Sequence, residues 1–208
     1  MPVKPPGSEA QSPRPTLREE RAALTRSRIS AAARHLFFRD GYAATTLKAV
    51  AREAEVAVQT IYAVFGSKSA ILAELRWVVV TQPEADVARL EAMQARTADE
   101  RLERFAHSIR CRWELAGDIV QIDQDAARVD ASLKEQVRQA EARRQAGIAA
   151  FARALADVLV TGIDEARAAA AIDALTMYNV YRQLVHVHSW TPDEYEDWLR
   201  SQLAAVVE

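Results

Sequence analysis

Residues 45–68 read TTLKAVAREAEVAVQTIYAVFGSK, and their spacing predicts two short helices, 46–54 and 57–64, joined by a turn of three to four residues. This is helix-turn-helix spacing, in which the second helix can enter a DNA major groove while the first crosses the backbone. Val50, Val56 and Ile61 supply the apolar contacts that hold the two helices at a fixed angle. Val58, Gln59, Thr60 and Tyr62 are left on or near the outer face. Those residue types suit base edges, since Gln bonds adenine through both amide atoms and Thr or Val methyls touch the thymine methyl. Thr46 at a helix N-terminus, Lys68 and the Tyr62 phenol supply phosphate contacts, and Arg14 and Arg18 lie within reach of phosphates or a minor groove.

Outward from this stretch the chain stays helical. Thr16-Leu17-Arg18-Glu19 forms a capping box, and Ile29, Ala32, Ala33, Leu36 and Phe37 make an apolar stripe that ends near Asp40, with Gly41 as a left-handed cap. Ser67 caps a fourth helix carrying Ile71, Leu72, Leu75 and Val79, which stops at Gln82-Pro83. Further helical segments are expected at 85–95, 98–116, 118–128, 131–161, 164–188 and 192–206. The last opens with Thr191 as cap, Pro192 in first position and Glu194 completing the box. Residues 1–15, with five of the seven prolines, form a mobile arm.

Composition agrees with an all-α fold. Of 208 residues 41 are alanine, the best helix former, and outside the arm helix breakers are few. The lone Cys111 excludes a disulfide framework and any multi-cysteine metal site. No apolar run is long enough for a transmembrane helix, and the first residues lack the apolar stretch of a secretory signal, so a cytoplasmic location is expected. Net charge is +5 over residues 1–80 (12 Lys/Arg, 7 Asp/Glu) and −7 over 81–208 (15 and 22), which directs a polyanion to the N-terminal third. No Gly-rich phosphate loop, nucleophile elbow or paired Glu-x-x-His motif is present, which disfavours an enzyme.

The order Arg28-Ile29, Ala31-Ala32, Leu36-Phe37, Gly41-Tyr42, Thr45-Thr46, Val50-Ala51, Ala54, Val56, Thr60-Ile61-Tyr62, Phe65 and Lys68 resembles the N-terminal domain of TetR/AcrR-type repressors over roughly residues 24–72. The resemblance implies a homodimer on a palindromic double-stranded DNA operator, with an arm (1–15), a helix-turn-helix domain (16–66) and a helical ligand-binding and dimerisation domain (67–208). It puts the operator contacts on Thr46, Ala57, Val58, Gln59, Thr60, Tyr62 and Lys68. Two positions depart from the pattern. Glu55 stands where the family usually has Gly in the turn, and Ala57 stands where it usually has Ser or Thr as a cap and phosphate donor.

In the remainder, Phe105, Ile109 and Trp113 fall on one helix face and read either as ordinary core or, as the resemblance implies, as the wall of a pocket for a small apolar effector. Trp77, Met93 and Leu102 are expected to converge on the same interior, with His107 and Arg110 as the nearest polar candidates. Ile148, Leu155, Leu159, Ile172, Leu175 and Arg182 are candidates for the dimer interface or for the core of the single chain. His186 and His188, two residues apart, share no helix face, so neither a metal nor another cofactor is expected. A constitutive DNA-binding dimer without a ligand, or a helical enzyme or scaffold, are the alternatives to an effector-responsive regulator.

Overall fold

The computed structural model describes residues 16–80 and 91–205, and for residues 78–80 the backbone alone. The expected arm, the stop at Pro83 and most of the segment 85–95 lie outside the described residues. Helices and their connections make up everything described.

Helix α1 (Leu17–Asp40) starts at the expected capping box: Glu19 N–H donates to Thr16 Oγ1 at 3.3 Å, and Thr16 N–H donates to Glu19 Oε2 at 2.7 Å. It buries Ile29, Ala32, Ala33, Leu36 and Phe37 and ends at Gly41, whose φ of +87° favours glycine. Thr45, buried, reaches the carbonyls of Leu36 and Gly41 and so ties the end of α1 to α2 (Leu47–Glu53). Helices α3 (Val58–Val64) and α4 (Lys68–Val80) follow. One core takes Val50 and Ala51 from α2, Ile61 from α3, and Ile71, Leu72 and Leu75 from α4.

That core does not end at residue 66. Ile119, Ile122 and Ala126 of the long helix α5 (Ala98–Ala127) and Leu133 of α6 (Ala131–Ala154) pack into it. Two ion pairs reinforce the junction. Arg34 on α1 grips Asp118 with Nε at 2.5 Å and Nη2 at 2.6 Å, and Arg76 on α4 holds Asp123 at 2.5 Å.

A second core is built from the first half of α5, α6, α7 (Glu165–Leu175), α8 (Tyr178–Tyr181) and α9 (Pro192–Ala204). Phe105 stacks on Phe151 at 3.8 Å between ring centroids. Helices α6 and α7 pair in antiparallel register, with Arg144 bound to Asp173 and Arg153 3.7 Å from Glu165.

Three sequence expectations need correction. The segments 98–116 and 118–128 are one 30-residue helix, because Gly117 is a packing hole and not a break. A Cβ there would lie 2.0 Å from Tyr178 Cε2. The segment 164–188 is interrupted at Thr176, whose carbonyl accepts the Trp113 indole N–H at 3.2 Å. It resumes as α8 and runs into a π-helical turn, Arg182–Val187. Helix 131–161 stops as an α-helix at Ala154, followed by a short 3₁₀ turn.

Candidate nucleic-acid interface

The anchor of α3 is Ile61, which has no exposed surface, and its neighbours in sequence face outward. Gln59 is exposed, Tyr62 is 57% exposed, and Val58 and Thr60 are half-buried. The turn before it is tight: Val56 N–H donates back to Ala51 O at 2.9 Å, and Glu55 takes φ +52°. That is the left-handed region in which glycine carries no steric penalty, which explains the family's usual residue there. Glu55 turns its carboxylate to Arg28 Nη2 at 2.8 Å. Ala57 occupies the N-cap of α3 with no side chain to bond it, whereas Thr46 caps α2 by accepting from Ala49 N–H at 3.1 Å.

Lys68 is engaged elsewhere than the sequence suggests. Its half-buried ammonium donates to the carbonyls of Tyr42 at 2.6 Å and Thr45 at 3.0 Å, sits 3.5 Å from that of Ala43, and lies 4.3 Å from the centre of the Tyr42 ring. Burial lowers its pKa. The side chain clamps the α1–α2 connection to α4, and reaching a phosphate requires it to give up at least one carbonyl. The signal was invisible in sequence because all three carbonyls are backbone atoms of a loop more than twenty residues away.

Residues 29–75 match the model of the family described as bacterial regulatory proteins, tetR family. Over that segment the chain is similar to the tetR family, and solved structures share its fold across both halves. The ketosteroid transcriptional regulator KstR2 of Mycobacterium tuberculosis superposes with a TM-score of 0.68 at 18% identity, covering 88% of this chain and 95% of that one. A transcriptional regulator from Saccharomonospora viridis in complex with choline gives 0.65 at 22%, covering 89% and 99%. NalD of Pseudomonas aeruginosa, a secondary repressor of the MexAB-OprM multidrug efflux pump, gives 0.59 at 21%, covering 90% and 98%. No curated protein matches the chain significantly.

In this chain the expected effector wall is largely close-packed core. Phe105 and Ile109 are buried in side-chain contacts, and Trp77, 66% exposed, does not converge with them. His107 and Arg110 turn toward α9, where both meet Glu196. Of the three expected residues, Trp113 alone lines a cleft of about 100 Å³ between α5, α6 and the start of α8. The spacing 113, 120, 124 on α5 and 137, 141, 144 on α6 turns one face of each helix into it. Arg112, Asp123, Glu141 and Arg144 make its lining charged as well as apolar. Sequence reasoning missed these residues because charges on a helix read as a solvated face until another helix covers them.

Of the residues expected at a dimer interface, Ile148, Leu155 and Ile172 are 5%, 1% and 1% exposed within the single chain. Side chains already stripped of water have no area left to bury against a partner, so these three belong to the chain's own core. Leu159, Leu175 and Arg182 remain half-exposed. His186 and His188 are both exposed, on the π-helical turn and just after it.

Proposed function

We propose that the chain is a repressor that binds a palindromic operator as a two-fold homodimer and releases it when a small molecule enters the α5–α6 cleft. The observation that carries this reading is the outward face of α3, where Gln59 and Tyr62 stand exposed on a helix fixed by fully buried Ile61. Val58, Gln59 and Thr60 then meet base edges, and Thr46, Ala57 and Tyr62 meet the phosphate backbone, with Lys68 joining by exchanging a carbonyl for a phosphate. A two-fold mate sets a second α3 about one DNA turn (~34 Å) away, which is what a palindrome requires. NalD is named a repressor and the Saccharomonospora regulator holds choline, and these likenesses support the same cycle here.

Release needs a connection between cleft and DNA. Asp123 lines the cleft and also holds Arg76 on α4, the helix that follows α3; Arg76 further donates to Gln136 on α6 at 2.6 Å. A molecule that shifts α5 against α6 shifts α4, and with it the spacing of the two recognition helices.

The test is selection of bound sequences from random duplex DNA by the full chain, followed by titration at rising salt. An enriched palindrome, with affinity falling steeply as salt rises, is expected. Gln59→Ala is expected to cost about 1–3 kcal/mol on the selected site and little on random DNA. Failure to enrich any sequence, or affinity indifferent to salt, overturns the reading.

A further inference from the structure

The charged side chains around α3 are unequally engaged. Residues 16–77 carry ten Lys/Arg and six Asp/Glu. Arg26, Arg28 and Arg39 pair with Glu74, Glu55 and Asp40, and Arg34 and Arg76 reach across to Asp118 and Asp123 on α5. Lys68 is held by carbonyls. The cations left over are Arg18 and Arg21 on α1 and Lys48 and Arg52 on α2. All four are exposed, and among the described residues their side chains make no ion pair or hydrogen bond. The carboxylates are nearly all engaged: Glu53 meets His35 Nδ1 at 3.0 Å and Glu19 closes the α1 capping box, which leaves Glu20 as the one acid without a partner among the described residues.

These four cations stand on the two helices that flank α3. Lys48 and Arg52 lie at i and i+4 on α2 and share one outer face, while Val50, Ala51 and Ala54 are buried. Helix α1 lies against both ends of α3. Arg28 reaches Glu55 in the turn before it, and Arg26 meets Val64 O at 3.4 Å and covers the Phe65 ring, 4.6 Å from its centre, at the end. Beyond that contact every residue of α1 back to its start is exposed as far as Leu24, Leu17 at 74% and Leu24 at 63%. Short helical stretches without packing are marginal in water, and Arg18 and Arg21, at i and i+3, give this one a basic face. A paired cation must give up its carboxylate to meet a phosphate. A free one exchanges only water and counterions, and the phosphate releases its own counterion in turn.

We propose that Lys48 and Arg52 on α2 and Arg18 and Arg21 on the projecting start of α1 grip the DNA phosphates on either side of α3 and carry most of the salt-dependent affinity. None of the four is among the operator contacts that the sequence resemblance implies, and the inference rests on the DNA-binding reading above. The experiment is titration of a random-sequence duplex and of the selected operator at several salt concentrations. It compares wild type, Lys48→Ala/Arg52→Ala, Arg18→Ala/Arg21→Ala, and the control Arg104→Ala/Arg143→Ala. The control removes the same charge from exposed, unpaired positions on α5 and α6, away from α3. Each of the first two variants is expected to lose about tenfold or more on both duplexes and to flatten the plot of log affinity against log salt. The slope falls by about 0.9 for each phosphate contact removed, so by up to about 3.6 when two residues go from each protomer of a dimer. The enriched sequence and the melting temperature stay as in wild type, and the control leaves the slope unchanged. An unaltered slope in either variant, an equal loss in the control, or a changed base preference overturns the proposal. Wild type that binds no duplex overturns the DNA-binding reading itself, whereas wild type that binds with variants of the same slope overturns only this assignment.

Discussion

Glu55 and Ala57 sit two residues apart and show how much a single position conveys. A non-glycine residue at φ +52° costs about 1–2 kcal/mol, and the Arg28 ion pair that Glu55 gains in return is exposed and worth roughly 0–1 kcal/mol. Glu55→Gly is therefore expected to stabilise the chain by about 0.5–1 kcal/mol, seen as a higher urea midpoint at unchanged slope. A lower midpoint would mean that the Arg28 contact outweighs the strain. Both departures from the family pattern were legible in sequence, because each concerns local backbone: a turn that wants glycine and a cap that wants a hydroxyl. The role of Lys68 was not, since an ammonium takes whichever acceptors the fold brings to it.

At the scale of the element, caps were readable and breaks were not. Thr16–Glu19 and Thr191–Glu194 form the boxes their spacing predicts, because the contacts span only three residues. In the second box the Thr191 backbone N–H holds the Glu194 carboxyl below its ordinary value of 4.5. A carboxyl with a depressed pKa in the folded state stabilises the chain above its unfolded value, and that contribution is lost as pH falls through the folded one. Stability measured from neutral pH down to below 4.5 should accordingly fall less steeply in Glu194→Gln than in wild type. An identical slope would show the carboxylate to be uninvolved.

Gly117 teaches the opposite lesson. Glycine is a poor helix former, so the sequence suggests an end, yet α5 continues through it for 30 residues, about 45 Å. The Tyr178 ring occupies the place of its missing side chain. Gly117→Ala, which raises intrinsic helix propensity, is for this reason expected to destabilise by about 1–3 kcal/mol, read as a lowered melting temperature. Stabilisation would indicate that the Tyr178 ring moves aside at no cost.

For the whole molecule the decisive feature is that α5 belongs to both cores, so the DNA-facing helices and the cleft share one rigid rod. Asp118→Asn weakens the Arg34 fork between α1 and α5 and is expected to cost about 1–2 kcal/mol in unfolding free energy. It should also reduce the change in operator affinity that a cleft ligand produces. Unaltered coupling would turn the test to Arg76 and its partners Asp123 and Gln136.

By itself the sequence determined the all-α class, the helix-turn-helix at 45–68, the tetR likeness of the N-terminal segment and the outward set around Gln59, because those depend on periodicity and on neighbours within a few turns. The tertiary structure alone decided that Phe105, Ile109, Ile148, Leu155 and Ile172 are core and that Arg144 and Asp123 face a cleft. Burial and ion pairing between residues tens of positions apart arise only when helices pack, and an apolar stripe looks the same in sequence whether it meets its own chain, a partner or a ligand.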